Sequence, residues 1–279
     1  MSEKPLVSII VLTYNSSRFI KATLDSIKKQ KYPNIELIVS DDSSIDETGA
    51  IVEDWLKENG NIFKRTLLLR SYSNRGTSAN YNHGIINSHG EYIKVLDGDD
   101  LLSSPDAIGC FVSTMKENNW DICISDVEVF SDEDVDLSMF KDLYKTYFNS
   151  VSENYEQQKK QIILNHLLPD PGLFMRRSLY DRVGGFDERY VLLEEWPFFL
   201  YVLEAGIQIQ ALPEKLVSYR ITKSSISHSG KSKAQLIMRK DLLRFFVNEL
   251  FKRQVRSGHI IFSIKTFIDY IYRYFLQVF

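Results

Sequence analysis

Short apolar runs and longer amphipathic stretches alternate along the first half of this chain. Val7–Leu12 is an aliphatic, β-branched run, and Ser17–Gln30 follows it with Phe19, Ile20, Leu24 and Ile27 at helical spacing. Ile35–Val39 predicts a second strand and Asp46–Glu58 a second helix, with Ile51, Val52, Trp55 and Leu56 on its apolar face. Thr66–Leu69, Tyr92–Leu96 and Asp121–Ser125 predict further strands, with helices over Ser78–Asn87 and Pro105–Asn118 between them. Short strands separated by helices read as βαβ units on a parallel sheet. Strands that are apolar throughout fit a sheet covered on both faces.

Beyond Val129 the alternation fails. Residues 131–160 are polar and tyrosine-rich without a strong period, which predicts a surface crossing of loop and short helix. Leu173–Met175, Ile207–Leu212 and Leu216–Tyr219 predict strands, Trp196–Ala205 a helix, and the chain from Lys233 onward is helical in pattern. Near the end, Lys265, Asp269, Arg273 and Gln277 form one polar stripe, while Ile260, Ile264, Phe267, Ile268, Ile271, Phe275 and Val278 fill most of the remaining circumference. Such a helix packs on the body or on a second copy of the chain as a homodimer, or it lies on a membrane surface.

The composition, 44% apolar and 25% charged over 279 residues, is that of one large domain, alone or with an appendage. A net charge of −3 excludes a general nucleic-acid binder. The charge is unevenly spread: residues 231–279 carry ten Lys and Arg against three Asp and Glu, so an acidic body precedes a basic tail. Cys110 and Cys123 sit among apolar residues in no metal-binding spacing, which suits a reducing compartment. No uncharged apolar run is long enough to span a membrane, and Leu6–Leu12 is too short for a secretory leader. The expected location is cytoplasmic, with the tail free to hold the protein at the inner face of the cell membrane.

In open parallel sheets, ligands bind outside the carboxyl ends of the strands. The first strand runs into Thr13-Tyr14-Asn15, the second into Asp41-Asp42-Ser43-Ser44, and the fourth into Asp97-Gly98-Asp99-Asp100. Each alone also reads as a turn or a helix cap. Together at one rim they read as a site. Crowded carboxylates raise each other's pKa unless a positive charge joins them, and an all-oxygen donor set suits a hard divalent cation. From Asp97, Leu101 and Leu102 stand where an EF-hand calcium loop needs an oxygen ligand and a glycine. No Gly-x-x-x-x-Gly-Lys-Ser/Thr loop is present, and no Gly-x-Gly-x-x-Gly follows the first strand.

These residues resemble glycosyltransferase family 2, inverting nucleotide-sugar enzymes with the GT-A fold. Pro5–Asn15 is similar to the family's first strand and base loop, and Asp41-Asp42-Ser43-Ser44-Ile45-Asp46-Glu47-Thr48 to its second-strand motif. Asn74-Arg75-Gly76 through Gly90-Glu91-Tyr92-Ile93 resembles the segment leading into the metal motif. Gly184-Gly185-Phe186-Asp187 and Glu194-Glu195-Trp196-Pro197-Phe198 resemble the acceptor-side motifs. The resemblance covers residues 5–225. It implies an α/β fold, a Rossmann-like and mainly parallel sheet flanked by helices, with a C-terminal helical extension. A GT-A domain would occupy 1–230, with a nucleotide-binding half over about 1–130 and an acceptor-side half over about 131–230, and a basic amphipathic tail would occupy 231–279.

Carried over residue by residue, the resemblance implies that Thr13, Tyr14 and Asn15 line the base pocket and that Asp41 accepts a hydrogen bond from the base. Asp97 would contact the ribose or the metal shell, and Asp99 would ligate Mn2+ or Mg2+ bridging the phosphates, with Arg75 as a second cation. The family usually has Glu-Asp where this chain has Glu194-Glu195, which makes Glu195 the candidate general base. Many relatives carry His where Thr222 stands, so either His228 substitutes or Arg220 and Lys223 hold the phosphates. The implied activity is metal-dependent inverting transfer of a sugar, from a UDP-linked donor, to a hydroxyl of a glycan or lipid-linked acceptor in bacterial surface polysaccharide assembly. The alternative is a non-catalytic nucleotide-sugar-binding partner or scaffold of another transferase.

Overall fold

The computed structural model describes residues 4–151, 154–164, 171–223 and 232–278, with side chains as far as Ile271. The elements run β1 (Val7–Thr13), α1 (Ile20–Lys28), β2 (Ile35–Asp41), α2 (Thr48–Asn59), β3 (Arg65–Arg70), α3 (Thr77–Ile86), β4 (Tyr92–Asp97), β5 (Leu101–Leu102), α4 (Ala107–Glu117) and β6 (Ile122–Phe130). They continue α5 (Ser138–Val151), α6 (Tyr155–Leu164), β7 (Leu173–Arg176), α7 (Arg177–Val183), α8 (Glu195–Glu204) and β8 (Gln210–Arg220). The tail is α9 (Lys233–Phe245), a π turn over Phe246–Leu250, α10 (Phe251–Arg256) and α11 (Ile260–Val278).

The strands form one 8-stranded sheet in the order β3-β2-β1-β4-β7-β6-β8-β5. Pairs β1–β2, β1–β4, β2–β3 and β6–β8 are parallel, and β4–β7, β6–β7 and β5–β8 are antiparallel. The sheet has to curl. Only Gly98, Asp99 and Asp100 separate β4 from β5, a span of at most about 14 Å for four residue steps. Four strand spacings in a flat sheet would need about 19 Å.

Every residue of β1 and β2 is buried. Successive side chains of a strand point to opposite faces. Val7, Ile9 and Val11 accordingly join Ile20, Leu24, Ile27, Val52 and Trp55 in one core. Ile10 and Leu12 join Tyr81, Ile85, Phe198 and Phe199 in the other.

The structure departs from the sequence pattern in several places, and it adds β5 and α7, which the pattern does not predict. Residues 131–160 carry two helices rather than a loop with a short one, because Phe140, Val151 and Ile162 find partners in the cores. Helix α1 starts at Ile20, not near Ser17, because the Ser16 and Ser17 amides are taken by Thr48 Oγ1 and Asp46 Oδ2. The two strands expected around Pro213 are one bulged strand, β8, whose register on β6 slips twice near Asp126. The helical tail is broken by the π turn, where Phe245, Phe246 and Leu250 are all buried.

At the opposite end of the sheet from the polar loops, Glu36 is 1% exposed. It accepts bonds from Ser8 Oγ (2.6 Å), the His89 amide, the Gly90 amide (2.9 Å) and Arg65 Nη1 (3.2 Å). Burial pushes its carboxyl up, but those donors outweigh burial and hold it below its ordinary value of 4.5. A depressed carboxyl stabilises the fold above its unfolded pKa and loses that contribution as the pH falls through the folded value. Glu36→Gln is therefore expected to cost about 2 kcal/mol at neutral pH in urea unfolding, since charge-assisted bonds are lost. The difference from the wild type should shrink below pH 4.5. A constant difference across that range would contradict this account.

Candidate functional site

Parallel pairing sets the three polar loops side by side. Thr13 is in register with Asp41, and Leu12 with Asp97. The chain crosses from the β2 side of β1 to its β4 side, so the loops flank the switch point of the sheet. Gly98 allows the closest approach: its amide donates to Leu12 O at 2.8 Å, and a Cβ there would stand 2.9 Å from the same oxygen.

The loops after β1 and β2 are stapled by side chains bonding backbone. Asn15 and Ser43 both have positive φ, 52° and 66°. Asn15 holds its shape by donating its amide to Ser44 Oγ (2.8 Å) and accepting the Ile45 amide on Oδ1 (3.0 Å). Asp41 accepts Thr13 Oγ1 (2.9 Å) and Ser44 Oγ (2.5 Å) on Oδ1 and the Ser44 amide (3.2 Å) on Oδ2. Asp46 is pushed up by burial and pulled further down by Thr48 and Ser17, reaching about 2. Asp42 takes the amides of Arg75 and Gly76, which fixes the loop before α3. Gly76 (φ 92°) is required there, since a Cβ would meet Val191 Cγ1 at 2.3 Å. The Tyr14 ring is left 50% exposed at the rim.

Arg220, from the end of β8, lies under the Asp97–Asp100 turn. Its backbone amide donates to Asp100 Oδ1 (2.9 Å), its Nε to the Asp99 carbonyl (2.7 Å), and its Nη1 to Asp132. The guanidinium sits 4.6 Å from the Phe19 ring centroid and 4.5 Å from that of Phe130. Burial pushes the Asp99 carboxyl up, opposed by its own backbone amide and by the Arg220 charge. Burial likewise lowers Arg220, opposed by Asp99 and Asp100.

Glu194 and Glu195 stand at the start of α8, where carboxylates suit the helix dipole. The Tyr147 phenol of α5 is pushed up by burial and by the charge of Glu195. The loop before α8 is organised from two directions. Asn82 of α3 bonds Phe186 through both its N–H and C=O, at 3.0 and 2.8 Å, and Asp241 of α9 accepts the Leu192 amide at 2.8 Å.

A cavity of about 870 Å3 opens between these parts. Thr13, Tyr14, Asn15, Asp97, Asp99, Glu194, Glu195, Arg220 and Thr222 all line it. Asp41 and Arg75 do not: Asp41 sits behind Thr13, and Arg75 is beside Asp42 through its backbone. Lys223 gives its amide to Glu133 (2.8 Å) and is not among the lining residues, and His228 lies outside the described residues. Among the described residues no three His, Cys, Asp or Glu side chains form a metal-holding group. Asp97 and Asp99 supply two carboxylates at one wall.

Several lining residues have no local sequence signal. Asp42, Asn74 and Gly76 fall inside motifs that were readable, but Leu192, Gln235, Met238, Arg239, Leu242 and Tyr270 do not. The last five come from α9 and α11, so residues on both sides of position 230 line one cavity. The spacing of a helix shows which of its faces is apolar, not which neighbour that face meets.

Comparison with known proteins places this geometry in a family. The family model "Glycosyl transferase family 2" matches residues 8–184. The Bacillus subtilis protein EpsJ, an uncharacterized glycosyltransferase, is 30% identical over 243 residues, which is 80% of this chain and 63% of EpsJ. The structure of Staphylococcus aureus TarS 1–349 in complex with UDP-GlcNAc superposes with a TM-score of 0.61 at 20% identity, over 95% of this chain and 81% of that one. The mannosyltransferase PcManGT of Pyrobaculum calidifontis, in complex with GDP-Man and Mn2+, gives a TM-score of 0.64 at 18% identity, over 95% and 74%. The curled α/β sheet is that of the GT-A glycosyltransferases, and this chain belongs to glycosyl transferase family 2.

Proposed function

We propose that the chain transfers a sugar from a nucleoside diphosphate donor to an acceptor hydroxyl with inversion, and that the 870 Å3 cavity is where it does so. The observation that carries the reading is the shared cavity of Asp97, Asp99 and Glu195, residues from β4, its following turn and α8. The TarS complex contains UDP-GlcNAc and the PcManGT complex GDP-Man, which supports a nucleotide-sugar donor.

Thr13, Tyr14 and Asn15 form the base end, with the half-exposed Tyr14 ring as an apolar surface for the base. Asp41, which does not line the cavity, braces that end from behind through Thr13 and Ser44.

The donor set at Asp97 and Asp99 fits Mn2+ or Mg2+: both are hard oxygen donors, and such ions take one or two carboxylates and complete their shell with phosphate and water. Burial disfavours the Asp99 carboxylate, so a neighbouring cation relieves a charge that the fold has desolvated. The PcManGT complex contains Mn2+, which supports the assignment. When bound, the ion neutralises charge building on the departing diphosphate. Arg220 holds the Asp99 carbonyl and thereby the turn that aims both carboxylates.

The acceptor oxygen forms its bond to the anomeric carbon as the bond to the diphosphate oxygen breaks on the opposite face. Glu195 takes the hydroxyl proton, the role of a general base. The acceptor is a hydroxyl of a glycan or a lipid-linked glycan, entering from the α8, α9 and α11 side.

Three substitutions test the reading. Asp99→Ala should remove Mn2+-dependent binding of UDP in calorimetry and Mn2+-dependent hydrolysis of UDP-sugars, with the unfolding midpoint retained. Full metal-dependent activity in that variant would refute the assignment. Glu195→Gln should keep UDP affinity and lower turnover by a factor on the order of a hundred or more, so a loss confined to affinity would rule Glu195 out as the base. Arg220→Lys cannot make the same fork and stacking contacts. The Mn2+ concentration for half-maximal turnover should rise roughly tenfold, as for other residues that orient ligands, while an unchanged requirement would show that Arg220 does not position Asp99.

A further inference from the structure

Helix α11 has two apolar faces, and the body covers only one of them. Phe267 stacks on Phe246 with centroids 6.0 Å apart, Tyr270 meets the same ring edge-on at 5.5 Å, and Ser263 is fully buried. The adjoining face, centred roughly 100° around the helix, carries Ile260, Ile261, Ile264 and Ile268, exposed by 52%, 73%, 48% and 60%. At about 100° per residue these four side chains fall within an arc of about 100°. They form one continuous stripe.

The charge around that stripe is of one dominant sign. Lys265 borders it on α11, and Lys252 and Arg256 are exposed on α10 immediately before. At the N-terminal end of α11, Lys159 and Lys160 of α6 join Ser257 and His259 around a second cavity of about 270 Å3, in which Glu156 is the one acid. Residues 231–279 as a whole carry ten Lys and Arg against three Asp and Glu. An apolar stripe ringed by cations fits the boundary between acyl chains and anionic headgroups. A second copy of this chain fits it less well, because a two-fold pair would set the same basic groups against each other. Among the described residues no helix is long and apolar enough to cross a membrane, so the helix would lie on the surface.

We propose that the isoleucine stripe of α11, with Lys159, Lys160, Lys252, Arg256 and Lys265, docks this protein on an anionic lipid bilayer. Tyr270, on the inward face of the same helix, lines the main cavity, so docking holds that cavity within a helix width of the lipid. The docking is independent of the chemistry in the cavity. If the glycosyl-transfer reading also holds, the surface serves an acceptor carried on a lipid.

The test is co-sedimentation of the full chain with vesicles of phosphatidylcholine alone or mixed with phosphatidylglycerol, without nucleotide or metal. The wild type should pellet with the mixed vesicles and not with phosphatidylcholine, and less so at high salt. The triple variant Ile261→Ser, Ile264→Ser, Ile268→Ser and the charge-reversed pair Lys252→Glu, Arg256→Glu should each lower binding roughly tenfold or more, with the unfolding midpoint kept. The pair keeps the proposal testable should the triple variant fold poorly. Wild-type protein remaining in the supernatant, or both variants pelleting like the wild type, overturns the proposal. So does a wild-type dimer in sedimentation velocity that the triple variant converts to monomer, which would assign the stripe to a second copy. Because no donor is present, failure here leaves the transferase reading standing, and inactive Asp99 and Glu195 variants leave this one standing.

Discussion

Strand β1, buried on both faces and paired in parallel with β2 and β4, is the constraint on which the rest of the site depends. Parallel neighbours end at the same rim, so the loops after β1, β2 and β4 converge without any need for those loops to recognise one another. Gly98 makes the convergence tight, because it alone lets the Asp97–Asp100 turn press on the Leu12 carbonyl. The rim also exposes backbone amides that no strand satisfies. Asn15, Asp41, Asp42, Asp46 and Thr48 take those amides, so one set of polar side chains shapes the loop after β1 and the loop before α3. Burial of the strands and polarity of the rim are two outcomes of one arrangement.

Arg220 performs the corresponding task for the second half of the sheet. A buried guanidinium is costly unless its charge and its donors are met. Here they are met by Asp132, the Asp99 carbonyl and two aromatic rings, while the Arg220 amide fixes Asp100. The short β5–β8 pairing follows the turn directly, so the curl of the sheet and the aim of the carboxylates are held by the same strand end. Lys94 shows the same logic deeper in the body: fully buried on β4, it donates to the carbonyls of Pro171 and Leu173 and ties β4 to the segment that becomes β7.

The tail belongs to the site as well as to the surface. Asp241 of α9 takes the Leu192 amide two residues before Glu194, and Met238, Leu242 and Tyr270 line the same cavity. Arg189 joins Asp187, in the loop between α7 and α8, to Glu249 of the tail. Perturbing these helices would therefore reach Glu195 through the loop that precedes it, without contact with any nucleotide.

Strands β1 to β4, their helices, the rim clusters and the membership of Asp97, Asp99 and Glu195 in recognisable motifs are legible in the residue pattern, because apolar period and short motifs are local properties. That pattern did not reveal the helices over 131–160, whose aromatic and polar mixture becomes helical through the partners that bury Phe140, Val151 and Ile162. Nor did it reveal that Arg220 is engaged beneath Asp99, that Asp41 and Arg75 do not line the cavity, or that α9 and α11 complete its wall. Those facts are about which distant surfaces meet. Tertiary structure decides them, because burial rewards any complementary apolar face and the chain carries no local signal of which one it will find.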